Sequence, residues 1–270
     1  MTTAIVTGAT KGIGRAVVEQ LVARGARLGC IARSEPDLLE LQRTLEPRGP
    51  RIEVAPADVS IRPEVEKALD SLTAALGQVD ILVNNAGVGL YGPVVDLDPD
   101  DAERLMTVNY LGTVYPTCAL LPKMIERKSG HIVNIASIAG LLGAPFEAAY
   151  TASKFAVVGF SEALAIETAA LGVKVSVISP GPVDTGFFSA RGHPYSRSSP
   201  RPVTAEAVAD AVLAAIDKSR FEAIVPRSLR SAILLRTLAP PLYFFATRRA
   251  FRPELSNLAA TLDGRRKTTP

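Results

Sequence analysis

The feature that most constrains the fold of this chain is a regular alternation of short apolar runs with longer amphipathic segments. Several short runs are continuous stretches of Val, Ile and Leu, as in strands covered by helices on both faces. Strand and helix alternate six times, which predicts parallel pairing through right-handed crossovers. We therefore expect an α/β fold with a doubly wound parallel sheet of about seven strands and helices on both faces. The predicted strands are Thr3–Thr7, Arg27–Ala32, Ile52–Pro56, Asp80–Asn84, His131–Ala136, Lys174–Ser179 and Ala223–Val225.

The segments between these strands have the 3.6-residue period of helices. One of them begins with Asp98 and Pro99, a pair typical of a helix start. The stretch 182–203, which we call the lid, is rich in Gly, Pro, Ser and Arg and is predicted to be a loop over the substrate site. We expect residues 1–226 to form a single domain and 227–270 a basic, partly apolar extension. The predicted helices lie near 13–24, 35–46, 62–76, 98–126, 148–170 and 204–218.

Composition excludes several classes of protein. With 47% hydrophobic and 21% charged residues, the 270-residue chain is an ordinary globular sequence rather than a disordered or fibrous one. No uncharged apolar run reaches the roughly 20 residues that a membrane-spanning helix needs. Positions 220–270 carry ten Lys and Arg against three acidic residues, whereas the rest of the chain is mildly acidic. This charge distribution does not favour a nucleic-acid binder.

The cysteines, the histidines and the N-terminal residues bear on location and on metals. Cys30 and Cys118 lie in apolar segments and cannot form a disulfide framework, which favours a reducing compartment. The N-terminal residues enter a strand pattern without the features of a signal peptide, so we expect a cytoplasmic protein. His131 and His193 do not combine with the cysteines at a metal-ligand spacing, and no metal site is predicted.

The first predicted strand runs directly into a glycine-rich turn and then into a helix. Glycines let the backbone turn tightly and approach a pyrophosphate, while the helix N-terminus supplies free N–H groups and positive potential. A glycine turn on its own can serve geometry alone, but this position in a doubly wound sheet favours a dinucleotide site. The residues concerned are Gly8, Thr10, Lys11, Gly12, Ile13 and Gly14.

Three side chains further along predict acid–base chemistry. Tyr150 and Lys154 stand four residues apart on one face of a predicted helix, although this pair alone also fits a half-buried Tyr beside a Lys that reaches solvent. A free tyrosine titrates near ~10, and an ammonium a few ångströms away is expected to lower the phenol pKa by about 3 units. Ser137 follows the fifth predicted strand, at the sheet edge where ligands of such folds lie, so its hydroxyl can bind a substrate oxygen.

The glycine spacing Gly-x-x-x-Gly-x-Gly and the Tyr-x-x-x-Lys pair resemble the classical short-chain dehydrogenase/reductase family. The resemblance is dense over 1–190 and fades in the C-terminal part. It implies a Rossmann-type fold, a nicotinamide cofactor whose ribose meets Tyr150 and Lys154, and catalysis by these two residues with Ser137. It also implies that Asn109 sits at a helix distortion and holds a water that links the lysine to solvent.

The end of the second predicted strand bears on which nicotinamide cofactor is used. An acidic residue there usually binds the adenosine ribose of NAD, but this strand ends in Ala32, Arg33 and Ser34 without a carboxylate. Arg33 and Lys11 instead place two cations where a 2′-phosphate would lie. The alternative is that both are solvated surface residues. We predict NADP(H).

The resemblance implies further cofactor contacts. Asp58 matches the acidic position that contacts the adenine in this family. The turn at Asn85, Ala86 and Gly87, after the fourth predicted strand, matches the wall of the family's adenosine site. A segment after the sixth strand matches the nicotinamide side, where the Val183 backbone and the Thr185 hydroxyl are expected to meet the carboxamide. The residues concerned are Ser34, Asp58, Val59, Asn85, Ala86, Gly87, Pro180, Gly181, Val183 and Thr185.

The predicted activity is hydride transfer between the nicotinamide and a carbonyl or a secondary alcohol. In reduction, Ser137 polarises the carbonyl and Tyr150 donates the proton, while Lys154 holds the ribose. One alternative is a non-catalytic NADP(H)-binding sensor on the same fold, but the signature of such a protein would be loss of the tyrosine or the lysine. A second alternative, a nucleotide-sugar epimerase or dehydratase, usually carries a different glycine spacing and a longer C-terminal part.

The predicted helices 98–126 and 148–170 form, by resemblance, the face on which such proteins make homodimers or homotetramers. An apolar stripe along the second of these helices is consistent with that interface, although a stripe that faces the core is the simpler interpretation. The stripe consists of Ala156, Val157, Phe160 and Leu164.

The extension contains a strongly hydrophobic stretch, 232–246, with Arg236 and a break at Pro240 and Pro241. The prolines prevent one continuous helix, and the stretch is too short to span a bilayer. It is either a helix pair that closes the substrate pocket or a peripheral membrane anchor whose arginines meet anionic headgroups. Both interpretations imply a lipophilic alcohol or ketone, because aromatic residues of the lid and the extension would line one mouth. These aromatic residues are Phe187, Phe188, Tyr243, Phe244 and Phe245.

Overall fold

The computed structural model of the protein describes residues 2–196 and 200–268. In this part of the chain seven parallel strands form one sheet in the order β3-β2-β1-β4-β5-β6-β7. The strand order reverses between β1 and β4, which is where ligands bind in doubly wound folds. The strands are β1 Thr3–Thr7, β2 Arg27–Ala32, β3 Ile52–Pro56, β4 Ile81–Asn84, β5 Gly130–Ile135, β6 Val173–Pro180 and β7 Glu222–Val225.

The helices cover both faces of the sheet. In chain order they are α1 Gly12–Ala23, α2 Glu35–Leu45, α3 Arg62–Leu76, α4 Pro99–Leu105, α5 Gly112–Glu126, α6 Ala148–Thr168, α7 Phe187–Ala190, α8 Ala205–Lys218, α9 Arg230–Leu238, α10 Pro240–Ala250 and α11 Arg252–Thr268. Buried apolar residues of α1, α2 and α8 form one core with the sheet. Those of α3, α5 and α6 form a second core on the opposite face. The predicted fold class is confirmed.

The predicted strands agree closely with the observed ones. Three have the predicted bounds, and the other four differ by one residue at one or both ends. The agreement has a physical reason, since a strand covered on both faces is apolar along its whole length. In β6, for example, every residue except Lys174 is buried.

Two predicted segments differ from the structure. The helix predicted over 98–126 is interrupted by a π-helical stretch, Met106–Leu111, which separates α4 from α5. The lid was predicted as a loop throughout, but it contains the short helix α7 and a bridge between Val183 and Val203. Both differences arise from contacts with distant residues, which periodicity does not reveal.

The extension breaks at Pro240, as the two prolines predict, and α9 and α10 pack against the body. Arg236 donates to the Leu141 carbonyl at 2.9 Å, and the Tyr243 hydroxyl donates to the Gly143 carbonyl at 3.4 Å. The extension is therefore fastened to the segment that precedes α6. No helix in the described part of the chain has the length and apolarity needed to cross a bilayer.

The apolar stripe on α6 faces the protein interior. Val157 and Leu164 are buried in the core, and the ring of Phe160 meets Tyr110 edge-on with 6.1 Å between centroids. Packing inside the chain thus accounts for the stripe. The large apolar residue that this helix exposes is Ile166, with 79% of its surface accessible.

Candidate active site

A cleft of about 1070 Å³ lies at the carboxyl ends of the strands. Of the residues predicted for the cofactor and for catalysis, all but Gly14 and Asn109 line it. The structure therefore brings together side chains that the sequence places as far apart as Gly8 and Thr185. No group of three or more His, Cys, Asp or Glu side chains suited to a metal ion occurs among the described residues.

The glycine-rich turn forms one end of the cleft. Gly8 has φ +63°, a left-handed conformation that favours glycine, and the amide of Asn85 donates to its carbonyl at 3.1 Å. A Cβ on Gly14 would lie 2.1 Å from the same carbonyl oxygen. Gly14 therefore packs against the back of the turn and does not itself line the cleft. With the N-terminus of α1 beside it, the turn fits a pyrophosphate.

The two cations predicted to bind a 2′-phosphate each lie near a carboxylate. Lys11 forms an ion pair with Asp37 at 2.9 Å, and Arg33 lies 4.0 Å from Asp58. Asp37 was missed by the sequence analysis, which considered only the end of β2, although this residue stands in the first turn of α2 where Ser34 caps its backbone N–H. The hydrogen bond from Lys11 lowers the pKa of Asp37. An acidic side chain thus lines this end of the cleft beside the two cations.

Ser137, Tyr150 and Lys154 meet at the other end of the cleft. Burial raises the pKa of Tyr150 above its ordinary value, and a hydrogen bond with the Ser137 side chain opposes this rise only in part. The expectation that a nearby lysine lowers this pKa by about 3 units is therefore wrong for the side chains as they stand. The physical reason is that burial disfavours the phenolate more strongly than its neighbours stabilise it.

Lys154 is buried beneath the tyrosine. Its Nζ donates to the Ile135 carbonyl at 3.0 Å and lies 5.9 Å from the centre of the Tyr150 ring. Burial also lowers the pKa of this lysine to about 8. The ammonium group is therefore held in place between β5 and α6, and it loses its charge at a lower pH than a surface lysine does.

Asn109 lies within the π-helical stretch, at the distortion that the resemblance implied. Its Oδ1 accepts from the Val88 N–H at 2.8 Å, and its Nδ2 donates to the Val88 carbonyl and to Ser153. A Cβ on Gly87 would lie 3.1 Å from Asn109 Oδ1 and 3.5 Å from Lys154 Nζ. The side chain thus joins the loop after β4 to α6 next to the lysine, without lining the cleft.

Aromatic residues of α7 line the cleft near Tyr150. The ring of Phe187 lies 5.7 Å from that of Tyr150, and Phe188 lies beyond it. The predicted contribution of the extension is wrong, because Tyr243, Phe244 and Phe245 do not line the cleft. Tyr243 is buried against the segment before α6, and the two phenylalanines are more than half exposed. The sequence could not show which way the helices turn after the two prolines.

Two charged residues of this half of the cleft were also missed. Glu147 and Arg191 line it and form an ion pair with a 2.5 Å Nη1–Oε1 distance. Glu147 stands three residues before Tyr150 and could have been noticed for that reason. Arg191 lies far along the chain, and no local pattern connects the two.

Together with the parallel sheet, this arrangement places the protein among the α/β dinucleotide-binding oxidoreductases. A family model described as short chain dehydrogenase matches residues 2–195. Dehydrogenase/reductase SDR family member 7B of Bos taurus is 36% identical over 254 residues, which cover 89% of this chain and 78% of that protein. The chain belongs to the short-chain dehydrogenase/reductase family.

Solved structures are similar over most of the chain. A short-chain dehydrogenase/reductase of Burkholderia phymatum in complex with NAD has a TM-score of 0.82 and 29% identity, covering 89% of this chain and 94% of that one. A short-chain dehydrogenase of Sphingobium yanoikuyae in complex with NADPH has a TM-score of 0.79 and 26% identity, with 90% and 95% covered. Structures with this fold thus hold NAD in one case and NADPH in the other.

Proposed function

We propose that the protein is an NADP(H)-dependent oxidoreductase that interconverts a carbonyl and a secondary alcohol on a lipophilic substrate. The observation that carries this proposal is one cleft with a glycine-rich turn at one end and the Ser137, Tyr150 and Lys154 side chains at the other. A cleft lined in this way can hold an extended dinucleotide with its reactive ring beside the tyrosine.

In reduction, the nicotinamide would supply a hydride to the carbonyl carbon. The Tyr150 hydroxyl donates its proton to the carbonyl oxygen, and the Ser137 hydroxyl donates a hydrogen bond to the same oxygen. The raised pKa of Tyr150 keeps this proton in place at neutral pH. Lys154 holds the nicotinamide ribose and places a positive charge beneath the phenol, while Asn109 keeps the loop after β4 against α6.

A screen of ketones and alcohols of increasing chain length tests the proposal. We expect consumption of NADPH with apolar ketones, followed by the absorbance of the reduced nicotinamide. Rates should rise with chain length, because Phe187, Phe188 and Ala190 line the substrate half of the cleft. Binding of NADPH without turnover on any substrate would instead favour the sensor, and a preference for small polar substrates would contradict the lipophilic assignment.

The cofactor preference rests on Arg33 and Lys11, and Asp37 acts against it. We expect Arg33→Ala to lower the ratio of kcat/KM for NADPH to that for NADH by about tenfold or more, since a charge-assisted phosphate contact is lost. Asp37→Asn should raise the same ratio, because it removes a carboxylate beside the 2′-position. Arg43→Ala, on the outer part of α2, is the control and should leave the ratio unchanged. A native preference for NADH would overturn the assignment.

We also propose that the extension contacts the surface of an anionic membrane. Its apolar side chains point outward in pairs spaced by three or four residues, Leu234 with Leu238 on α9 and Leu242 with Phe245 on α10. All four are more than half exposed. The basic residues of this region complement anionic headgroups, and they are Arg227, Arg230, Arg248, Arg249 and Arg252.

Sedimentation with vesicles that contain phosphatidylglycerol tests this contact. The protein should bind them, and the double variant Leu238→Ser with Phe245→Ser should bind at least about tenfold more weakly, because two side chains no longer enter the acyl boundary. Leu39→Ser with Ile61→Ser removes two exposed apolar residues elsewhere and should bind normally. High salt should weaken binding. Equal binding of the vesicles by the two double variants would contradict the proposed membrane contact.

The last two proposals concern the oligomeric state of the protein and its location in the cell. We propose a homodimer or homotetramer through the outer surfaces of α5 and α6, where Ile166 and Cys118 are exposed. Light scattering at micromolar concentration checks this, and a monomer would contradict it. Both cysteines are free, which suits work in the reducing cytoplasm at or near a membrane.

A further inference from the structure

One charged pair is buried in the substrate half of the cleft and has no part in the proposed chemistry. The Arg191 guanidinium donates to the Glu147 carboxylate at 2.5 Å, and only 4% and 19% of the two side chains are exposed. Arg191 Nε also donates to the His193 carbonyl at 3.2 Å. Removing two charges from water is costly, so a buried pair persists only where its geometry and further hydrogen bonds satisfy both partners.

The same guanidinium lies against two aromatic rings. Its central carbon is 4.6 Å from the centre of the Phe188 ring and 5.0 Å from that of Tyr91. A planar arginine head suits this position better than an ammonium does. Tyr91 follows β4, Phe188 belongs to α7 and Glu147 directly precedes α6. One side chain therefore joins three segments of the substrate half.

The helix fastened by this pair carries the aromatic ring that packs beside Tyr150. The Phe187 and Tyr150 rings are 5.7 Å apart. On its other side the Phe187 ring is so close to the backbone that a Cβ on Gly89 would lie 2.7 Å from it. A shift of α7 would therefore change the wall around the tyrosine and admit water to it.

We propose that Glu147 and Arg191 are positioning residues whose ion pair fastens α7 to the start of α6 and so shapes the substrate half around Tyr150. This inference rests on the proposed oxidoreductase function. It goes beyond that function because it assigns a role in substrate fit to two residues that perform no step of the reaction.

The two charges also act on Tyr150 in opposite directions. Glu147 raises the pKa of the phenol, and Arg191 lowers it. The other groups that face the tyrosine are the Ser137 hydroxyl and the Lys154 ammonium, and the α4 residue Arg104 lines the same cleft. Removing one member of the pair therefore leaves the charge of the other unbalanced beside the phenol.

Hydrogen exchange on the full chain without ligand is the first test. The Ala190 and Arg191 amides donate to the Gly186 and Phe187 carbonyls at 3.0 and 3.1 Å. These amides should exchange at least about tenfold faster in Arg191→Met, in Glu147→Gln and in the double variant, because α7 opens more often. Arg15→Met breaks an exposed ion pair on α1 and should leave them unchanged. Wild-type exchange rates in Arg191→Met and Glu147→Gln would overturn the inference.

Kinetics on an accepted ketone are the second test. All three variants should lose about 10²-fold in kcat/KM, mainly through KM, because the substrate is held less well. In each variant kcat should fall by no more than about threefold, because neither residue performs a step of the reaction. Arg191→Lys keeps the positive charge and should therefore restore part of the lost KM.

A fall in kcat as large as the rise in KM, without recovery in Arg191→Lys, would overturn the positioning role, because a general structural defect lowers kcat as well. The two proposals remain distinguishable. If the wild-type protein turns over no ketone or alcohol with either cofactor, the proposed function fails, whereas the exchange rates of α7 still decide whether Glu147 and Arg191 fasten it.

Discussion

Replacing Tyr150 with Phe is expected to lower kcat by about 10³-fold or more, while the dissociation constant for NADPH changes by no more than about twofold. The substitution removes the hydroxyl that is proposed to donate the proton but keeps the ring that packs against Phe187. Steady-state rates and calorimetry measure the two quantities on the same preparation.

Tyr115→Phe is the matched control, since this ring packs against the core formed with α3, α5 and α6 and lies outside the cleft. It should retain full activity. If Tyr150→Phe kept more than about a tenth of the rate, another group would have to donate the proton and the proposed chemistry would be wrong.

Lys154→Met should impair both quantities. The expected result is a fall in kcat of about 10²-fold and a rise of about tenfold in the dissociation constant for NADPH, because the ammonium group is proposed to hold the ribose and to support the phenol. Lys218→Met, at the exposed end of α8, should change neither.

The pH dependence of NADPH affinity tests the same role of Lys154. The pKa of Lys154 is lowered to about 8, so its positive charge is present below that value and is lost as the pH rises through it. NADPH affinity of the unchanged protein should therefore weaken as pH rises through about 8, and this dependence should be missing in Lys154→Met. The same pH dependence in both proteins would show that another group is responsible.

The sheet and most of the cleft could be predicted from the sequence because their signals are local. A buried parallel strand is an apolar run, and the residues at its carboxyl end face a common edge wherever the strand lies in the sheet. Ser137 follows β5 and Tyr150 shares a helix face with Lys154, so their meeting required only the fold class. The bounds of β1 and β2 could be predicted for the same reason.

The remaining features depend on pairs of residues that no periodicity connects. Lys11, just before α1, meets Asp37 in the first turn of α2, and Arg191 reaches Glu147 from another part of the chain. The raised pKa of Tyr150 depends on burial by residues that are distant in sequence. Each of these contacts is set by how whole elements pack. Sequence patterns therefore bring out the groups that are proposed to perform the chemistry more completely than the groups that surround them.

The position of β1 between β2 and β4 also has a consequence for the order in which the protein forms during synthesis. β1 and β2 are joined by one crossover and can pair as soon as both have left the ribosome, whereas β4 reaches β1 only after β2, β3 and their helices have been made. Contacts of large sequence separation form slowly, because loop closure costs entropy before any contact repays it. We therefore expect the crevice outside the carboxyl ends of these strands to form late in folding, and a bound cofactor to stabilise only chains that have already closed it.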